Sequence, residues 1–94
     1  MNRICIIGAG ISGLSIASKK IKSNRTVKVF ESGERIGGVI GSQKIDGYLL
    51  DYGANTLNIR LKSTKELLKA SGAWDDCIDA NLLSSKRMIV RGGK

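Results

Sequence analysis

Histidine and proline are both missing from this 94-residue chain. Without histidine there is no usual general base, and no Ser-His or Cys-His nucleophile pair can be built. The two cysteines, Cys5 and Cys77, lie far apart in the chain. With no histidine beside them they form no metal-ligand cluster, and nothing suggests a disulfide. Cys5 falls in an apolar strand and is expected to be buried as a small hydrophobe. Catalytic side chains and metal ligands are therefore not expected, and any chemistry would belong to a cofactor. Proline-rich linkers, internal repeats and low-complexity tracts are also absent, so residues 1–94 read as part of a single domain.

Aromatic residues are scarce too: Phe30, Tyr48, Tyr52 and Trp74 are all there are. That scarcity weighs against a nucleic-acid surface, despite a formal net charge of +8. Lys19, Lys20, Lys22, Arg25 and Lys28 gather around the end of the first expected helix and the second strand. No recognition motif or stacking platform accompanies them, so they read as a solvated basic face. Charge near a helix C-terminus also favours the helix itself. Loose attraction to an anionic membrane surface is compatible with such a balance, though no segment supports it directly.

Long apolar runs are missing as well. Arg3 followed by a mostly apolar stretch to Ala17 imitates a secretion signal, but it lacks a small-residue cleavage site and carries spaced glycines. It is also shorter than the ~20 apolar residues of a membrane span. A cytoplasmic location is expected, with peripheral membrane contact left open.

What the chain does have is concentrated near its start. Ile4-Cys5-Ile6-Ile7 is an apolar strand that runs directly into Gly8-Ala9-Gly10-Ile11-Ser12-Gly13, a G-x-G-x-x-G turn opening a helix. A second strand, Thr26-Val27-Lys28-Val29-Phe30, leads to Glu31, eighteen positions beyond Gly13. Strand, turn, helix, strand and acid together form the fingerprint of a fold that grips the ADP half of FAD or NAD. Gly8 allows the tight turn, Gly10 lets a pyrophosphate approach the backbone, and Gly13 lets the helix pack close to the sheet. The helix N-terminus offers unpaired N–H groups and partial positive charge to the phosphates. Glu31 is placed to accept hydrogen bonds from a ribose hydroxyl, and its charge would repel the 2′-phosphate of NADP.

A second motif follows. Glu31-Ser32-Gly33-Glu34-Arg35-Ile36-Gly37-Gly38 reads E-x-x-x-R-x-G-G. This extension resembles the N-terminal FAD-binding motif of the flavin amine oxidase superfamily, which includes monoamine oxidases, phytoene desaturases and protoporphyrinogen oxidases. The resemblance implies FAD as cofactor. It implies that Arg35 lies by the diphosphate and ribose, and that Gly37 and Gly38 pass close to the cofactor. An arginine fork suits an anion, and paired glycines permit close approach. The block Asp46-Gly47-Tyr48-Leu49-Leu50-Asp51-Tyr52-Gly53-Ala54-Asn55 is similar to the family's next segment, a hairpin leading into a D-x-G-A stretch along the flavin. Amine oxidases proper usually carry arginine after the double glycine, whereas this chain has Val39. Arg35–Ser42 and the basic end from Lys86 are closer to protoporphyrinogen oxidases.

The resemblance covers essentially the whole chain, yet members of the superfamily are several times longer. The expected class is α/β: a Rossmann-like FAD/NAD(P)-binding βαβ with an inserted hairpin, forming an incomplete domain. The expected elements are strand 2–7, helix 11–22, strand 26–31, cofactor loop 32–41, hairpin 42–51, loop 52–62, helix 64–71, a short turn or helix at 74–80 and strand 86–91. Ser63 as N-cap and Glu66 at N3 would form a capping box for the helix at 64–71, with Gly72 as its stop. The cofactor-binding set is Gly8, Ala9, Gly10, Ile11, Ser12, Gly13, Glu31, Ser32, Arg35, Gly37 and Gly38. A small-molecule substrate would be met only in a full-length relative. The alternatives are a phytoene desaturase-like or amine oxidase-like flavoprotein, a non-catalytic nucleotide-binding module, and a non-functional remnant.

Overall fold

The computed structural model describes residues 2–86 and 88–93, which fall into two units, Met1–Asn58 and Ile59–Lys94. The first unit is built on two parallel strands, β1 (Arg3–Ile7) and β2 (Thr26–Phe30), joined by helix α1 (Ile11–Ile21). Both strands are rich in β-branched residues, which suit the pleated surface. Their register pairs Ile4 with Val27 and Ile6 with Val29. Those four residues share one face, and Ile6 is buried there beside α1. Among the described residues, Ala9 in the turn and Ala17 on α1 complete the buried set.

The opposite face of this sheet bears Cys5, Ile7, Lys28 and Phe30, and all four are exposed. Ile7 is 92% exposed. The expected burial of Cys5 is thus corrected. Strand side chains alternate between faces, and Cys5 takes the face away from α1. Lys19 and Lys20 occupy the last turn of α1, where their charge complements the helix dipole. The chain then turns through Asn24, whose φ of 56° lies in the left-handed region that asparagine tolerates better than most residues.

Strands β3 (Ser42–Ile45) and β4 (Tyr48–Asp51) form the expected hairpin. Asp46 and Gly47, with φ of 50° and 83°, both adopt left-handed backbone, as a two-residue turn matched to strand twist requires. Ser42 Oγ donates to Asp51 Oδ1 at 2.5 Å, and the Tyr52 hydroxyl donates to Gln43.

In the second unit, helix α2 spans Lys62–Ser71 and stops at Gly72, whose φ is 80°. Its start corrects the expected capping box. Leu61 is the N-cap, no side chain caps the helix, and Ser63 lies inside the first turn. Glu66 pairs instead with Lys62 at 3.7 Å, one turn back along the exposed surface. Lys69 lies over the Trp74 ring at 5.1 Å. A turn follows Trp74, and Leu82–Ser85 form a short 3₁₀ helix on which Asn81 Oδ1 accepts from the Leu83 N–H. The expected strand 86–91 is not formed at residues 86 and 88–91; residue 87 lies outside the described residues. A strand needs a partner for its N–H and C=O groups, and among the described residues none pairs with this stretch.

Among the described residues, no helix is long and apolar enough to cross a membrane.

Candidate functional site

The C-terminal end of β1 is where the fingerprint residues meet. Gly8 continues the sheet by one bond, its N–H reaching the Phe30 carbonyl at 2.7 Å, and then turns with φ of 97°. Gly10 is the N-cap of α1 in extended backbone, with no side chain to satisfy the first helical amides. Among the described residues, the N–H groups of Ile11, Ser12 and Gly13 meet no acceptor. Unpaired amides at a helix start favour an anion.

The three glycines answer to different neighbours. A Cβ at Gly13 would fall within the contact shell of the Gly8 carbonyl oxygen and 3.2 Å from Ile6 Cγ2. Packing inside the protein therefore demands that glycine. At Gly10 a Cβ would find nothing nearer than Gly38 Cα at 3.9 Å. The protein does not need a glycine there, whereas a ligand lying on the backbone would. This is the cradle expected of a dinucleotide phosphate, and the donors present fit that group.

Ala9 ties the site together. Its N–H donates to Glu31 Oε2 at 2.7 Å, and its carbonyl accepts from the Gly37 N–H at 2.8 Å. Glu31 also accepts the Gly33 N–H on Oε1 at 2.9 Å, with Ser32 Oγ at 3.5 Å. These bonds, led by the one from Gly33 and then that from Ala9, hold the Glu31 carboxyl below its ordinary 4.5. Because the folded value is depressed, the tie is fully present above that ordinary value and is lost as pH falls through the lowered one. The Ala9 and Gly33 amides are therefore expected to shift and to lose exchange protection, relative to their intrinsic rates, as the pH falls through that lowered value. Glu31→Gln should abolish that acid step. An NMR titration in which neither amide responds would remove Glu31 as their acceptor.

The double glycine closes the other side. Gly37 and Gly38 take φ of 117° and 61°, and a Cβ on Gly38 would sit 3.2 Å from Gly10 Cα. The two glycine-rich segments thus run backbone against backbone. Between them lies a groove of about 350 Å³ lined by residues 7, 8, 10–13 and 37–40. Seven of the expected site residues line it: Gly8, Gly10, Ile11, Ser12, Gly13, Gly37 and Gly38. Ala9, Glu31, Ser32 and Arg35 are not among its lining residues. Ile7, Val39 and Ile40 line the groove as well, and only their positions flanking the motifs could have marked them. Gly53, from the D-x-G-A stretch, passes against Val39 so closely that a Cβ would collide with the Val39 carbonyl.

Comparison with known proteins agrees with this geometry. The model of the NAD(P)-binding Rossmann-like domain matches residues 6–70. Protoporphyrinogen oxidase 2, chloroplastic/mitochondrial, of Arabidopsis thaliana is 35% identical over 91 residues, covering 97% of this chain and 18% of that protein. Coproporphyrinogen III oxidase of Staphylococcus aureus is 39% identical over 77 residues, covering 80% of this chain and 16% of that protein. 4,4'-Diapophytoene desaturase of Staphylococcus haemolyticus is 36% identical over 82 residues, covering 86% of this chain and 16% of that protein. The chain thus spans under a fifth of the length of the curated relatives it matches. These relatives bear out both the protoporphyrinogen oxidase resemblance and the desaturase alternative, and a dinucleotide is the cofactor class they indicate. With its βαβ unit, its glycine turn and this match, the chain belongs to the NAD(P)-binding Rossmann-like domain family.

Proposed function

We propose that this chain is the FAD-binding portion of a flavin-dependent oxidoreductase of protoporphyrinogen oxidase type. The observation that carries the reading is the groove between two glycine-rich segments, one of which opens α1 with unpaired amides. Nicotinamide domains do not usually carry the second segment, so its place beside the turn supports FAD over NAD. Gly8, Gly10, Ile11, Ser12 and Gly13 would receive the diphosphate, and Gly37 and Gly38 would border it. Glu31 Oε2 accepts the Ala9 N–H and has a second lone pair for a ribose hydroxyl, so its bonds to the protein leave that role open.

When bound, the flavin supplies hydride acceptance from a C–H or C–N bond. This chain's share is to bind and orient it, with no side chain acting as acid or base. Substrate contacts would come from the rest of an oxidoreductase, and dehydrogenation of a tetrapyrrole precursor is the reaction the resemblance favours. We assign both units to one dinucleotide-binding domain, because the family match runs across the division at Asn58. The presence of diapophytoene desaturases among the relatives favours a carotenoid-desaturase-like flavoprotein as the second reading.

Titration of the purified chain with FAD, NAD and NADP, followed by flavin fluorescence and calorimetry, tests the cofactor. FAD is expected to bind, with NADP excluded by the Glu31 charge. Binding of NAD with none of FAD would leave a nucleotide-binding module. No binding by a folded chain would overturn the proposal.

A further inference from the structure

The arginine of the E-x-x-x-R-x-G-G motif does something other than face the groove. Arg35 Nη2 donates to the Gly38 carbonyl at 2.6 Å, and Nη1 donates to Ile40 O at 2.8 Å and Ile36 O at 3.4 Å. Three alternate carbonyls of one loop therefore converge on a single guanidinium. The loop also passes close to it. A Cβ on Gly37 would lie 3.3 Å from Nη1, and one on Gly41 would lie 2.9 to 3.1 Å from the guanidinium atoms. The same loop delivers the Gly37 N–H to Ala9 and lays Gly38 against Gly10. Arg35 itself is not among the residues lining the groove.

We infer that Arg35 is a positioning residue: its guanidinium is the internal frame around which the double-glycine loop bends, fixing Gly37 and Gly38 against the phosphate turn. It does not serve as a phosphate ligand. The guanidinium spreads its donors over two nitrogens of a rigid fork, Nη1 for Ile36 and Ile40 and Nη2 for Gly38, whereas a lysine ammonium is one point on a flexible stem and cannot reproduce that frame. Where this concerns FAD it rests on the function proposed above. The loop's order is a property of the chain without cofactor.

The test uses the full chain and two variants. Arg35→Lys keeps the charge and removes the fork. Gly41→Ala keeps Arg35, and Gly41 has no left-handed backbone to strain. The added methyl would meet the mobile end of a side chain, so the guanidinium is what shifts. Hydrogen exchange is read at the Gly37 and Ile40 amides without cofactor, with the Gly8 amide as control. Both variants should exchange roughly tenfold faster at Gly37 with Gly8 unchanged, as local opening of one loop requires. FAD affinity should fall alongside in both.

A variant Arg35→Lys that loses FAD affinity while Gly37 exchange stays at the parent rate would make Arg35 a direct ligand and overturn the inference. Unchanged exchange in Gly41→Ala would overturn it as well, because the frame would then not depend on the guanidinium's place. Should Arg35→Lys unfold, all three amides would exchange together and Gly41→Ala decides. If no form binds FAD yet the exchange changes appear, the proposed cofactor fails and the positioning role stands.

Discussion

Gly13→Ala is expected to abolish the cooperative thermal transition of this chain. Alanine ordinarily stabilises a helix over glycine by about 1 kcal/mol. Here the new methyl would enter the contact shell of the Gly8 carbonyl and press on Ile6 Cγ2 at 3.2 Å. Overpacking of that kind costs about 1–3 kcal/mol when side chains can yield, and more where the obstacle is backbone. The obstacle is the turn itself, which cannot retreat without breaking the Gly8 to Phe30 bond. The clash outweighs the propensity gain. Chains this small are marginal, and among the described residues the buried set is only Ile6, Ala9 and Ala17. Circular dichroism melts decide the matter. A variant as stable as the parent would mean that α1 can draw away from the turn without loss.

Gly10→Ala should do the reverse, sparing the fold and losing the ligand. Its Cβ would meet nothing closer than 3.9 Å, and the backbone there is extended, so alanine fits. The methyl would instead stand in the groove where a diphosphate must approach the first amides of α1. Loss of one charge-assisted hydrogen bond, about 1.5–3 kcal/mol, corresponds to a roughly 10–100-fold weaker dinucleotide affinity. The melt should move little while the FAD titration shifts by that factor. Unchanged affinity would place the phosphates elsewhere than over Gly10.

The contrast between these two glycines could be read from the sequence, because each role follows from its place in a strand–turn–helix unit. The same locality made β1, α1, β2 and the Asp46-Gly47 hairpin legible: apolar alternation, glycine spacing and turn chemistry act within a few residues. Where the outcome depended on distant partners, the reading failed. The stretch 86–91 has strand composition but no partner strand among the described residues. Cys5 has the character of a core residue, yet the pleat gives it the face that α1 does not cover. At α2 two local signals competed, and Glu66 paired with Lys62 instead of closing a box with Ser63. The motif alone singled out Arg35, with the expectation that it lies by the diphosphate and ribose. Its carbonyl partners appear only once the loop is folded, because no side-chain pattern announces which carbonyls converge.

The Ala9 peptide, bonded at its N–H to Glu31 and at its carbonyl to Gly37, leaves the phosphate turn little conformational freedom. A ligand arriving there meets donors already in place. Association then loses little entropy to ordering the site, and its strength depends mainly on the contacts themselves. The glycine turn is preorganised by a side-chain acceptor, the Glu31 carboxylate, and a backbone donor, the Gly37 N–H, both from the stretch that follows β2.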